Sequence, residues 1–143
     1  MKLEDIYTAI AVDFVINEND LGHESIKTEK LWIKYITLYS QEKLRLEQRQ
    51  SGRATLCSVK REYYSGQAAP EVYYKNPPKG PHVKTDAGLE RAIARDEDVI
   101  AYDETTIVQR IKVDLLKATV DECKQRSYSL KAAVDHMRFL NGG

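Results

Sequence analysis

The chain has 143 residues, the size of one domain, with 22 basic and 22 acidic side chains. A net charge of zero names no partner, so the distribution of charge along the chain carries the information. The most apolar run, LWIKYITLY, is nine residues long with a lysine inside it, too short to span a bilayer.

Charge is segregated by sign. Residues 1–25 carry one base against six acids, and residues 26–62 carry nine bases against four acids. Residues 96–105 carry five acids and no base, and residues 106–143 carry seven bases against four acids. Cys57 and Cys123 fall in helix-like segments with no Cys or His at metal-ligand spacing. They read as small buried hydrophobes of a reduced, intracellular protein. The opening MKLEDIYTAIAVDF is interrupted by acids and does not read as a signal peptide.

In chain order, LEDIYTAIAVDF places Leu3, Ile6, Tyr7, Ile10 and Phe14 on one face, which predicts a short amphipathic helix. NENDLGH is a turn with Asp20 as the N-cap. From Glu24 to Tyr64 there is no proline, and Trp32, Tyr35, Ile36, Tyr39, Leu46, Leu56 and Val59 form an apolar face. This predicts a helix of about 40 residues, roughly 60 Å long. Gly52 is its weak point, costing about 1 kcal/mol against alanine. QEKLRLEQRQSGR has few apolar residues, so this half is expected to project into solvent.

GQAAPEVYYKNPPKGPHVKTDAG holds all four prolines and is expected to be a mobile loop, with a short strand at EVYY. LERAIAR suits one or two helical turns, and DEDVIAYDE reads as extended or loop. The expected organisation is therefore one mainly α domain. It has N-terminal helices over 1–64, a loop region over 65–103 and a long helix over 104–140.

In that last helix, Val113, Leu116, Val120, Cys123, Ser127, Leu130, Val134 and Met137 alternate spacings of three and four. This is a heptad seam with one polar position. The next stripe, Lys117, Lys124, Lys131 and Arg138, is basic, and Asp114, Asp121 and Asp135 stand three residues before Lys117, Lys124 and Arg138. Such a seam needs a partner: the first long helix or other copies of the chain. A second apolar set, Ile107, Ile111, Leu115 and Ala118, favours self-association.

No enzyme chemistry is legible. There is no P-loop, and His23, His82 and His136 are dispersed. The acids Asp96, Glu97, Asp98, Asp103 and Glu104 read as complements to a helix N-terminus. The basic stretch says more. Lys43, Arg45, Arg49, Arg53, Lys60 and Arg61 face only Glu42, Glu47 and Glu62, and the run ends in Tyr63-Tyr64, with Tyr73-Tyr74 and Lys75 beyond. Cations track phosphates, and rings stack on bases without requiring a sequence, so this pattern suits single-stranded nucleic acid. The competing reading is a solvated helix face whose tyrosines cap a hydrophobic cluster. It belongs to a structural coiled-coil oligomer with no nucleic-acid role.

The start MKLEDI, the segment VKREYYSG, the acidic DEDVIAYDE and the ending KAAVDHMRFL, in this order and spacing, resemble the UvsY family of phage recombination mediators. The likeness covers nearly the whole chain, and YYSG at 63–66 is its strongest motif. The resemblance implies a non-enzymatic, mostly helical protein without cofactor or metal, working in the host cytoplasm. It implies a ring-like, seven-fold homo-oligomer assembled through the C-terminal helix. That assigns Val113, Leu116, Val120, Cys123, Leu130, Val134 and Met137 to assembly. It implies binding to single-stranded DNA and loading of the phage RecA-like recombinase, UvsX, onto strands covered by single-strand binding protein, in recombination and repair. The residues assigned to DNA are Arg53, Lys60, Arg61, Tyr63 and Tyr64. Family DNA binding relies on bases five and three positions before the first tyrosine of YYSG. Here those positions are Ser58 and Lys60, so the first base is missing, and Arg61 lies about 100° further round the helix from Lys60.

Overall fold

A computed structural model describes residues 1–142 of the chain. These form five helices: α1 (Leu3–Asp13), α2 (Leu21–Ser65), α3 (Pro70–Lys75), α4 (Asp86–Ala94) and α5 (Glu97–Leu140). No strand occurs among the described residues, so the fold is all-α. None of the helices is long and apolar enough to cross a membrane. Cys57 and Cys123 are free thiols, and Cys123 is buried.

The ends of the long helices follow from their capping residues. The Asp20 carboxylate accepts the His23 N–H at 3.2 Å, satisfying an orphan donor at the start of α2. α2 then runs for 45 residues, through Gly52 without a break. It stops at Gly66, whose φ of 84° lies in the left-handed region that favours glycine. Gln67 N–H donates to the Glu62 carbonyl at 2.9 Å and Gly66 N–H to the Tyr63 carbonyl at 3.3 Å, the double closure of a Schellman cap.

Two expectations about secondary structure are corrected, and the half of α2 expected to project into solvent instead packs against α5, with Glu42 and Leu46 buried. EVYY is helical, not a strand: Pro70 opens α3 at its first position, where a fixed φ and a missing N–H cost nothing. The acidic segment expected as extended is the first part of α5, which begins at Glu97 rather than near 104. Asp96 is the reason. Its Oδ1 accepts the N–H groups of Asp98 at 2.9 Å and Val99 at 3.2 Å, and Glu97 and Asp98 complement the helix dipole.

The chain divides into two compact units, residues 1–44 with 108–143 and residues 45–107. In the first unit, Ile6 of α1, Leu31 and Tyr35 of α2, and Leu116 and Cys123 of α5 form the buried cluster. Ile10, Phe14, Leu38, Tyr39, Leu115 and Val120 pack round it. The heptad seam thus faces inward here. Val113 and Leu130 are buried as well, whereas Met137 remains exposed. Of the two partners the pattern left open, the first long helix covers this stretch of seam.

A buried polar cluster ties the three helices of this unit together. The Arg126 guanidinium pairs with Glu24, donates to Thr28 Oγ1 at 3.0 Å and donates to the Phe14 carbonyl at 3.1 Å. Arg126, Glu24 and Thr28 are each at most 5% exposed. Nearby, Asp13 accepts from Lys34 at 2.5 Å and from the Tyr35 hydroxyl at 2.8 Å. Burial raises the Tyr35 hydroxyl pKa, and the Asp13 charge adds to the shift. Burial also pushes the Asp13 carboxyl upward, but the bonds from Lys34 and Tyr35 outweigh it and leave a net lowering. Gln109 closes a further contact, donating to the Glu42 carbonyl at 2.9 Å and its carboxylate at 2.7 Å.

Candidate functional site

The second unit contains the basic–aromatic stretch, residues 45–65 of α2, running antiparallel to the first turns of α5. Successive contacts set this register. Arg49 Nη2 donates to the Tyr102 carbonyl at 3.1 Å, and its guanidinium lies 4.2 Å from the Tyr102 ring centroid. The Tyr102 hydroxyl donates back to the Arg49 carbonyl at 2.7 Å. A Cβ on Gly52 would lie 2.5 Å from that hydroxyl oxygen. The residue that looked like the weak point of α2 is therefore what lets Tyr102 lie against the helix.

The cations assigned to DNA all have carboxylate partners. Arg53 holds Asp103 in a two-pronged pair, at 2.6 and 3.0 Å. The bond from Arg53 lowers the pKa of the Asp103 carboxyl, and the same bond raises that of the guanidinium. Lys60 Nζ lies 2.6 Å from Asp98 and 3.3 Å from Asp96. Partial burial pulls the Lys60 pKa down, but these two carboxylates overcome it and the net shift is upward. Arg61 reaches Asp86 at 3.1 Å. Ser58, where a first base was looked for, is exposed and carries no charge.

The assigned rings are engaged too. The Tyr64 hydroxyl donates to Asp96 at 2.6 Å, and burial with this bond raises its pKa. Burial tends to raise the pKa of the Asp96 carboxyl, but Tyr64, the Val99 N–H and Lys60 bring it below its ordinary value. Tyr63 stacks on Tyr73, with centroids 5.4 Å apart and planes at 24°, and meets Tyr64 edge-on at 5.1 Å. The Tyr63 hydroxyl donates to the Asn76 carbonyl at 3.0 Å. Tyr73 closes the cluster, its hydroxyl donating to the Tyr63 carbonyl at 2.7 Å.

The structure thus brings Arg53, Lys60, Arg61, Tyr63 and Tyr64 into one unit, with a carboxylate against each cation. Sequence reasoning missed Asp86, Asp96, Asp98 and Asp103 in that role. The signal was the opposite charge of the two segments, since residues 96–104 carry five acids and no base while residues 53–61 carry three bases and no acid. No group of side chains suited to a metal ion occurs among the described residues.

Fold and site together define an all-helical protein whose candidate surface is a tyrosine-rich helix end with a carboxylate set against each of its cations. The sequence matches the family described as "Recombination, repair and ssDNA binding protein UvsY" over residues 9–143, and the chain belongs to that family. Three crystal forms of the bacteriophage T4 recombination mediator protein UvsY share the fold. One has a TM-score of 0.81 at 20% identity, with 100% of this chain and 99% of that chain covered. Another has 0.80 at 21%, covering 97% and 98%, and a third 0.77 at 18%, covering 94% and 98%. No curated relative matches the sequence.

Proposed function

We propose that this chain is a recombination mediator. It binds single-stranded DNA and promotes loading of a RecA-like recombinase onto strands held by single-strand binding protein. The observation that carries this reading is the family match over residues 9–143. The mechanism needs no bond-making by the protein. A strand held in a form that suits the recombinase and disfavours the single-strand binding protein changes occupants by differential affinity alone.

In this reading Arg53, Lys60 and Arg61 take phosphates, with Tyr63 and Tyr64 shaping the helix end beneath them. Each phosphate gained replaces a carboxylate already in place, so one copy binds weakly. A ring-like homo-oligomer, seven-fold by family likeness, overcomes this by presenting many copies to one strand. The apolar surface available to another copy includes Met137, Phe139 and Leu140 at the end of α5, which are 48%, 80% and 67% exposed. Val113, Leu116, Val120, Cys123, Leu130 and Val134 support assembly by fixing α5 in position.

The test is anisotropy of a labelled single-stranded oligonucleotide at several salt concentrations. Binding should fall steeply with salt and ignore sequence. Lys60→Ala with Arg61→Ala should weaken binding to every sequence and flatten the salt slope. An unchanged slope removes this stretch from the DNA surface. Absence of binding at low salt, from folded protein, would favour a purely structural oligomer.

A further inference from the structure

The basic–aromatic pattern offered Tyr63, Tyr64, Tyr73 and Tyr74 for base stacking, yet Tyr63 is stacked on Tyr73 and the Tyr64 hydroxyl is bonded to Asp96. One ring in the same unit is in the opposite condition. Tyr74 is 90% exposed, the most exposed large hydrophobic residue of the chain. It has no hydrogen bond or ring contact among the described residues.

Its exposure has a structural cause. The segment that carries it is fastened to the end of α2 on both sides. Before it, the Tyr73 hydroxyl donates to the Tyr63 carbonyl and its ring lies on Tyr63. After it, the His82 ring sits where a Cβ on Gly66 would be, within 2.9 Å, and Val83 N–H donates to the Tyr64 carbonyl at 2.9 Å. Tyr73 takes the inward position on α3, so its neighbour Tyr74 points to water. Residues 74–82 are all exposed, and Pro77, Pro78 and Pro81 stiffen the span between the two fastenings.

Charge marks the same segment. Lys75, Lys79 and Lys84 have no carboxylate partner among the described residues, whereas Arg53, Lys60 and Arg61 all do. An unoccupied ring face on a stretch of chain that also carries unpaired cations is the combination that receives a base and its flanking phosphates.

We propose that Tyr74 is the base-stacking residue of this protein, with Lys75, Lys79 and Lys84 as phosphate contacts. This rests on the reading that the chain binds single-stranded DNA. Stacking is blind to sequence but requires a base, which separates it from phosphate binding. The ring is presented on a fastened loop, so little order has to be gained on binding.

The experiment compares oligo(dT) with an abasic strand of equal length and charge, using the full chain. The unaltered protein should prefer oligo(dT). Tyr74→Ala should lose that preference, weakening oligo(dT) binding by about five- to a hundredfold while leaving the abasic strand unaffected. Tyr74→Phe should keep it, because the ring rather than the hydroxyl is used. Lys75, Lys79 and Lys84 changed to Gln should flatten the salt slope for both strands, by about 0.7 for each lost contact. If oligo(dT) binds and Tyr74→Ala changes nothing, or weakens both strands equally, the stacking role is overturned and DNA binding stands. If neither strand binds, DNA binding and the stacking role fall together.

Discussion

Each compact unit holds an arginine–carboxylate pair between segments far apart in sequence, and these two pairs differ sharply in exposure. In the first, Arg126 and Glu24 are enclosed, with side chains 3% and 5% exposed. In the second, Arg53 and Asp103 are open to water, at 47% and 41%. The difference separates two jobs. A buried pair cannot lose one member without stranding a charge, so it holds helices in register. An exposed pair is screened and weak, and water, salt or phosphate can replace either member.

The largest effect should come from breaking the enclosed pair. Arg126→Ala would leave the Glu24 carboxylate buried without its cation and remove donors from Thr28 and the Phe14 carbonyl. The expected loss is about 3–5 kcal/mol of unfolding free energy, read by urea denaturation. A loss below about 1 kcal/mol, the size of an exposed pair, would erase the contrast between the units.

Gly52 supplies the next test, in the second unit. An alanine there gains about 1 kcal/mol of helix propensity in isolation. Here its Cβ would meet the Tyr102 hydroxyl oxygen at 2.5 Å. That hydroxyl is held by the Arg49 carbonyl, and the ring lies under the Arg49 guanidinium, so it cannot swing aside freely. Gly52→Ala should therefore destabilise the chain by about 1–3 kcal/mol. The next nearest atom is the ring carbon at 3.6 Å, an ordinary contact. With Tyr102→Phe in the background, the same change should cost much less or become favourable. Equal costs in both backgrounds would mean that Tyr102 is not the obstacle.

Those two sites also mark how far the sequence could be read. Helical class, the Asp20 cap and the loop that opens at Gly66 were legible because each is a local signal, read within a few residues. The α5 seam was legible as a pattern, but its partner was not, since periodicity gives a face and not what covers it. Arg126 and Gly52 were illegible for a different reason. Their roles depend on residues 102 and 50 positions away, and nothing local distinguishes a buried arginine from a solvated one. The start of α5 was missed because the acids, read as complements to a helix N-terminus, were placed ahead of the helix, whereas Asp96 is its cap and the others lie in its first turns. For the candidate site, the cations and rings were legible as a group. Their occupancy was not, and it is occupancy that makes Tyr74, rather than Tyr63, the free ring.

The smallest expected effect bears most directly on function. If Arg53 and Lys60 serve DNA, Asp103 and Asp98 compete with it for the same donors. Asp103→Asn and Asp98→Asn keep the shape of the carboxylates and remove their charge. Asp96 should be left intact, because it caps α5 and accepts from Tyr64. Each exposed pair is worth about 0–1 kcal/mol, so each change should tighten single-strand binding by up to about fivefold, with little change in stability. The sign is what matters. A cation whose only task is to hold α2 against α5 would gain nothing from losing its partner, and binding would stay the same or weaken as the unit loosened. Tighter binding after removal of a protein carboxylate requires that the freed cation meets the strand. Oligonucleotide anisotropy of both variants, at one salt concentration and with unfolding curves alongside, would separate the two outcomes.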